Sequence, residues 1–347
     1  MTSKMTAAVL YGKEDLKIEQ VAIPEIGSDE VLVRVRAALT CGTDLKVYRQ
    51  GYHARMIMPP AIFGHELAGV VEAVGADVTN VRSGMRVVAA NSAPCGQCRY
   101  CRRGRSNLCE DLLFNNGAYA EFIRIPGPIV RQNLLDIPPQ IGFADAALVE
   151  PLACVLRGLE QTGLRADDSV TVIGMGPIGL MFIRLAKLRG AHVVAIGKRD
   201  SQLSAARRLG ADAVVNFNTS KDVAAEIRSK TMGGAGADVA IEAVGTPQTW
   251  ELAFSTMRRG GTVNCFGGCP SGSSVQLDTS LLHYSEISIH ATFHHTPAHI
   301  RKALETITRG DIRGADLITG EMPLTRLPEL LRDLANRNGH LKTTILP

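Results

Sequence analysis

"SVTVIGMGPIGLMFIRLAKLRG", residues 169–190, decides the fold. Its first five residues form an apolar run suited to a buried strand, and a second such run, HVVAIG, follows at 192–197. Between them Gly174, Gly176 and Gly179 stand in the spacing G-x-G-x-x-G and open a stretch with helical apolar spacing. Strand, glycine-rich turn, helix and strand make a βαβ unit and therefore a parallel sheet. In that context the glycines permit a tight turn, close approach of the backbone to a pyrophosphate, and close packing of helix on strand. Gly174, Gly176, Pro177, Ile178 and Gly179 are thus candidate dinucleotide contacts, with phosphate at the helix N-terminus, where free N–H groups favour anions.

Downstream, DAVVNF, ADVAIEAVG, GGTVNCFGG and EISIHATF continue the sheet to about residue 291. Ligands bind beyond the carboxyl ends of such strands, which adds Val244 and Gly245 of EAVG and Phe266 and Gly267 of CFGG to the candidates. The strand HVVAIG ends on Gly197, Lys198 and Arg199. In NAD sites an acidic residue about twenty positions past the first glycine accepts from the ribose 2′-hydroxyl. Counting from Gly174, that position is Gly197. Loss of the carboxylate, followed by two cations that can bind phosphate oxygens, predicts NADP with NAD as the alternative. The competing explanation is a turn glycine followed by ordinary solvated charges.

Upstream, to about residue 150, short alternating runs such as EVLVRVRAAL and GVVEAVG are broken by Gly, Pro, Asn and Asp, the pattern of antiparallel strands and turns. After the parallel sheet come two amphipathic stretches, AHIRKALETITRG and LPELLRDLANRNG, and a short final strand, KTTILP. A chain of 347 residues exceeds what one core usually supports, so two domains are expected. With 38 Lys and Arg against 34 Asp and Glu, the net charge of +4 is too small to favour nucleic acid or an anionic membrane, and a small-molecule partner fits better. The opening MTSKMTAAVLYGKEDL turns charged too soon for a signal peptide, and no stretch of eighteen uncharged apolar residues occurs, so a cytoplasmic protein is expected. Cysteines in that compartment serve as thiols or metal ligands more often than as disulfides.

Four of the eight cysteines, Cys95, Cys98, Cys101 and Cys109, crowd into CGQCRYCRRGRSNLC. One loop can then wrap a tetrahedral zinc, and with all four positions used the ion is structural. Arg99, Arg102, Arg103 and Arg105 interleave with them. A zinc-ribbon nucleic-acid-binding protein would need its second cysteine pair about 15 to 20 residues further on and would leave the βαβ region unused. Cys41 in TCGTDLK, His65 in FGHELAG and Glu150 in LVEPLAC are an acceptable ligand set for a catalytic zinc, though a lone Cys or His is usually a packed core residue. Cys154, one helical turn past Glu150, is a rival ligand.

With CGTD, GHE, the four-cysteine lobe, VEPLAC and VIGMGPIGL in this order, the chain resembles the zinc-dependent medium-chain dehydrogenases over nearly its full length. It resembles most the branch of sorbitol and other polyol dehydrogenases, threonine dehydrogenases and galactitol-phosphate dehydrogenases. The resemblance implies an α/β fold: a GroES-like β-rich catalytic domain (residues 1–152, with the structural zinc lobe at about 94–110, and 292–347) and an inserted doubly wound Rossmann domain (153–291). It implies two zinc ions per chain, one structural and one catalytic. Cys41 and His65 would hold the catalytic zinc, Glu150 would ligate it directly or through water, and Glu66 would lie in or beside the ligand sphere. Thr43 would start a proton relay, although its hydroxyl could instead cap the local turn. A homotetramer, or else a dimer, is the family habit, and the apolar edge run EISIHATF offers a surface for pairing.

The expected reaction is hydride transfer between a secondary alcohol and a nicotinamide cofactor, the alcohol being a polyol, sugar alcohol, cyclitol or phosphorylated polyol. Two departures bear on this. Threonine dehydrogenases of the branch carry His where this chain has Lys46, which speaks against the alternative of an NAD-dependent threonine or amino-alcohol dehydrogenase. NAD-using members have an arginine five positions after the acidic residue, where this chain has Gln202. Arg49, Tyr52, His53 and Arg55 follow the zinc cysteine closely enough to be candidates for contact with a substrate phosphate.

Overall fold

The computed structural model describes residues 3–52, 56–335 and 341–347. Its chain divides into two compact units, Met1–Ala153 with His295–Pro347, and Cys154–His294.

The first unit is built on a seven-stranded sheet. Six strands lie in the order Leu134–Asp136, Arg86–Ala89, Glu66–Val74, Val31–Leu39, Lys342–Leu346 and Ile318–Pro323, and Phe122–Ile125 pairs with Val31–Leu39 off that path. Beside it lies a three-stranded sheet of Asp15–Ala22, Lys4–Gly12 and Ala61–Ile62. Val31, Val33 and Val35 alternate inward along the central strand, while Arg34 and Arg36 face out. That period-two pattern fixes the register, because a slip of one residue would bury the arginines. Leu39 stands opposite Glu66 on one side and Thr344 on the other. A two-stranded ribbon, Ser92–Ala93 with Leu113–Phe114, closes the base of the four-cysteine loop.

The second unit is a six-stranded parallel sheet in the order Ala213–Asn216, His192–Gly197, Ser169–Ile173, Ala237–Glu242, Met257–Cys265 and Ser288–Ala291. Numbered from the first strand in sequence, that is 3-2-1-4-5-6, the doubly wound order whose ligand crevice lies at the reversal of strand order. Ser169–Ile173 is buried at every position, as a strand covered on both faces must be.

The elements near the C-terminus differ from expectation in detail. The first amphipathic helix spans Pro297–Thr308, starting behind a proline suited to a first turn, and the second spans Leu327–Ala335. Between them lies Ile318–Pro323, a strand whose alternating apolar and polar residues the sequence reading passed over. Among the described residues no helix is long and apolar enough to cross a membrane.

Candidate functional site

Cys41 caps the helix Gly42–Gln50, with extended backbone (φ −122°, ψ 151°). Its sulfur accepts from the Thr43 N–H at 3.5 Å, and its own N–H donates to Asp44 Oδ2 at 3.0 Å. This reciprocal capping arrangement draws Asp44, 1% exposed, into the interior. There Asp44 Oδ2 lies 2.6 Å from the Tyr119 hydroxyl and Oδ1 lies 3.0 Å from His65 Nδ1. A neutral His65 donating from Nδ1 to the carboxylate leaves Nε2 as its lone-pair nitrogen, the usual way a protein orients an imidazole for a metal. Burial pushes the His65 pKa down, but the carboxylate of Asp44 and the sulfur of Cys41 together raise it well above the usual value. Gly64, at φ +90°, lets the chain pass over the Tyr119 ring, which a Cβ there would meet at 2.6 Å.

The ligating atoms of Cys41, His65 and Glu66 lie within 4.8 Å of one another. Glu66 is fully buried and one of its oxygens, Oε1, has no hydrogen-bond partner among the described residues, while Oε2 pairs with Lys342 Nζ. Lys342 also donates to Thr40 O at 2.9 Å. Burial would strip the Lys342 proton, but Glu66, Cys41 and Asp44 hold its pKa above the ordinary value. A thiol, an imidazole and an orphaned carboxylate oxygen form a donor set that a zinc ion satisfies. Glu150, in the helix Val149–Gln161, stands outside that trio. Burial raises its pKa to about 7, with His65 pulling the other way, and its Oε1 lies 3.7 Å from His295 Nε2.

Thr43 is half-buried in the first helical turn, Arg49 and Tyr52 are exposed, and His53 and Arg55 lie outside the described residues. Asp44, Tyr119 and Lys342 escaped the sequence reading. Asp44 carried a signal, an acid three residues after a residue able to cap a helix. Lys342 carried none, because nothing local in KTTILP ties it to Glu66.

The four cysteines of the lobe form no disulfide, and their sulfurs lie within 4.8 Å of one another, Cys98 to Cys101 at 3.5 Å and Cys98 to Cys109 at 3.9 Å. A tetrahedral zinc with sulfurs about 2.3 Å away sets them about 3.8 Å apart, so the spacing fits. The backbone N–H groups of Cys101, Glu110 and Tyr100 bring the Cys98 thiol down to about 6, whereas burial and the bond to Cys98 push Cys101 up to about 12. The loop thus already favours a thiolate before any ion arrives, and ion binding displaces the remaining protons.

In the second unit every candidate nucleotide contact falls at the carboxyl end of the sheet. Gly174 through Gly179 join Ser169–Ile173 to the helix Pro177–Leu188, with Gly176 as its cap. A Cβ at Gly179 would sit 1.8 Å from Gly174 O, whereas one at Gly176 would meet nothing within 4 Å. The turn is therefore packed on its inner side and open on the outer side, where a pyrophosphate fits. Val244 and Gly245 follow Ala237–Glu242, and Phe266 and Gly267 follow Met257–Cys265. Glu242 Oε1 accepts from the N–H groups of Val244 and Gly245, each at 2.8 Å, and shapes that loop. Lys198 and Arg199 are exposed beyond Gly197, with Lys198 Nζ 4.8 Å from the Phe217 ring centroid.

Residues 27–138 match the alcohol dehydrogenase GroES-like domain and residues 177–309 the zinc-binding dehydrogenase family. Sorbitol dehydrogenase of Bacillus subtilis (strain 168) is 32% identical over 352 residues, 99% of this chain and 97% of that protein. The chain belongs to the zinc-dependent medium-chain dehydrogenases. Its activity is accordingly that of a zinc-dependent alcohol oxidoreductase acting on a small-molecule alcohol. Another relative, L-threonine 3-dehydrogenase of Caldanaerobacter subterraneus subsp. tengcongensis, is 38% identical over 274 residues, 77% of each chain. Among solved structures, a protein of Sinorhizobium meliloti 1021 described as a zinc-binding dehydrogenase, bound to NADP, aligns with a TM-score of 0.91 at 29% identity and covers 100% of both chains. Alcohol dehydrogenase TADH from Thermus sp. ATN1 aligns with a TM-score of 0.88 at 31% identity over 99% of each.

The two donor sets separate in mutants of this dehydrogenase. Cys98→Ser is expected to lose about one zinc equivalent by elemental analysis and to lower the urea midpoint, since a structural ion contributes folding energy. Cys41→Ser is expected to lose the other equivalent and all turnover while keeping its midpoint. Equal zinc contents in both variants and the wild type would contradict the assignment.

Lys342→Met leaves a buried carboxylate without its cation and is expected to cost about 3–5 kcal/mol in urea denaturation. Adding Glu66→Gln should recover much of that loss. A cost below about 1 kcal/mol would show that the pair is not buried as described.

Proposed function

We propose that this dehydrogenase oxidises a secondary hydroxyl of a polyol, sugar alcohol, cyclitol or phosphorylated polyol, or reduces the matching ketone, with NADP(H) as cofactor. The observation that carries the cofactor reading is the end of the strand His192–Gly197, where no carboxylate stands and two exposed cations, Lys198 and Arg199, follow. A carboxylate there would bind a ribose 2′-hydroxyl and repel a 2′-phosphate. The NADP bound by the Sinorhizobium protein agrees with this reading, and the sorbitol dehydrogenase relative agrees with a polyol substrate.

In the proposed mechanism Cys41 and His65 hold the catalytic zinc, with Glu150 as third ligand, directly or through water, and Glu66 in or beside the ligand sphere. Glu150 is preferred to Cys154 because the VEPLAC motif resembles the polyol branch, where a carboxylate stands at this position, and because carboxylate oxygen is a suitable zinc ligand. When bound, zinc supplies Lewis acidity that makes an adjacent alcohol easier to deprotonate, and the nicotinamide ring accepts the hydride. Asp44 keeps Nδ1 of His65 protonated and so presents Nε2 throughout the cycle. The Thr43 hydroxyl takes up the alcohol proton as the first group of a relay toward solvent. Gly174, Gly176, Pro177, Ile178 and Gly179 hold the pyrophosphate, Lys198 and Arg199 the 2′-phosphate, and Val244, Gly245, Phe266 and Gly267 line the remaining nucleotide wall. Cys95, Cys98, Cys101 and Cys109 hold the structural zinc.

We further propose a cytoplasmic homo-oligomer, a tetramer by family habit. Ser288–Ala291 supports it: this outermost strand of the parallel sheet is exposed at all four residues, and pairing with a second copy would cover it.

Steady-state kinetics on a panel of polyols, polyol phosphates, cyclitols and L-threonine, with both cofactors, tests the proposal. Two charge-assisted bonds to the 2′-phosphate predict at least a tenfold higher kcat/KM with NADP⁺ than with NAD⁺, roughly the worth of one such bond. Equal constants, a preference for NAD⁺, or L-threonine as best substrate would refute it.

A further inference from the structure

The nucleotide reading gives Gly197 the task of leaving the ribose 2′ position free of a carboxylate. The structure shows why a glycine stands there. A Cβ built on Gly197 would lie 2.7 Å from Met175 Cγ, 3.3 Å from Met175 Cβ and 3.1 Å from Leu203 Cδ2. Carbon atoms pack best at about 3.5 to 4.0 Å, so these approaches are overlaps or near-overlaps. Met175 is the residue between the first two glycines of the turn and is 3% exposed. The overlapping atoms are the stem of its side chain, attached to the turn backbone, and rotation of its distal thioether does not remove them. Leu203, 5% exposed in the first turn of the helix Asp200–Arg208, closes the other flank. The backbone cannot easily retreat either. Gly197 O accepts from the Phe217 N–H at 2.8 Å, and Ile196 O accepts from the Gly174 N–H at 2.9 Å, which pins the strand end to the turn.

We infer that Met175 is a specificity-determining residue for the nucleotide: its side-chain stem occupies the volume that any side chain at position 197 needs, including a ribose-binding carboxylate. The missing acid is thereby enforced by packing from the glycine-rich turn as well as by the identity of residue 197. The kinetic consequence rests on the NADP reading, whereas the packing consequence does not. Charge reasoning alone suggests Gly197→Asp as the route to NAD⁺. The geometry says that this single change forces a carboxylate against buried apolar atoms and must be accompanied by a smaller residue at 175.

A double-mutant cycle on the full-length enzyme tests this, with wild type, Met175→Ala, Gly197→Asp and the double variant. Thermal melting without nucleotide reads the packing, and calorimetric titration with NADP⁺ and with NAD⁺ reads the specificity. Gly197→Asp is expected to melt several degrees lower than wild type and to bind both nucleotides at least about tenfold more weakly, with the two sites strongly non-additive. Adding Met175→Ala should recover most of the melting loss and shift the ratio of NAD⁺ to NADP⁺ affinity at least about tenfold toward NAD⁺ relative to wild type. If Gly197→Asp does not fold, Gly197→Ala takes its place in the same cycle and reads the same overlap. A Gly197→Asp variant as stable as wild type, or a double variant no better than the single one, would overturn the inference. A wild type that prefers NAD⁺ while melting still shows the coupling would count against the NADP reading alone and uphold the steric role of Met175.

Discussion

The strand Val31–Leu39 lies antiparallel between Glu66–Val74 and Lys342–Leu346, and its register decides where the charges of the metal centre fall. With Leu39 opposite both Glu66 and Thr344, the segment just past the strand, Thr40 and Cys41, is flanked by Glu66 and by Lys342. Thr40 N donates to Thr343 O at 3.1 Å, and Thr343 N donates to Thr40 Oγ1 at 2.9 Å, so the alignment persists to the start of the helix that Cys41 caps. A one-residue slip would send Glu66 to the opposite face and leave Lys342 buried without a counter-ion, at a cost of several kcal/mol. Thiol, imidazole and carboxylate thus converge because apolar alternation along a sheet permits only one alignment.

The nucleotide unit reaches its chemistry by a different route. Its candidate nucleotide surface is largely backbone: a turn in which a Cβ at Gly174 or Gly179 would overlap its neighbours while Gly176 stays open, and loops at neighbouring strand ends held by Glu242. Side chains enter at the margins, where Lys198 and Arg199 face solvent and Met175 shuts out a carboxylate. The two units therefore divide the work. One gathers buried charge into a donor set that suits a metal, and the other presents free N–H groups and a shape that suit an anion.

Much of this was legible in the sequence because it is local. The strand-turn-helix of residues 169–190 carries its own periodicity and its own glycines, and the cysteine lobe closes within fifteen residues. Cys41, His65 and Glu66 could be proposed from their motifs, and the fold brings them together. Asp44 was half legible, as a capping residue whose second role, orienting His65, needs the tertiary contact. Lys342 was illegible, since its partner lies 276 residues away and only sheet register pairs them. Met175 was illegible for a related reason. A methionine between two glycines reads as filler until the neighbouring strand shows which volume it fills. Ile318–Pro323 was missed because a short edge strand interrupted by glycine gives a weak alternating signal.

On the proposed ligand assignment, this register builds a mixed-donor metal site in addition to the all-sulfur lobe. X-ray absorption at the zinc edge of the purified enzyme reads it directly. Four sulfurs at one ion and one at the other, Cys41, amount to five sulfurs over two zinc ions, with nitrogen or oxygen at about 2.0–2.2 Å completing the average sphere. A spectrum with four sulfurs per zinc and no light-atom shell would mean that only the cysteine lobe binds metal, and would contradict the account.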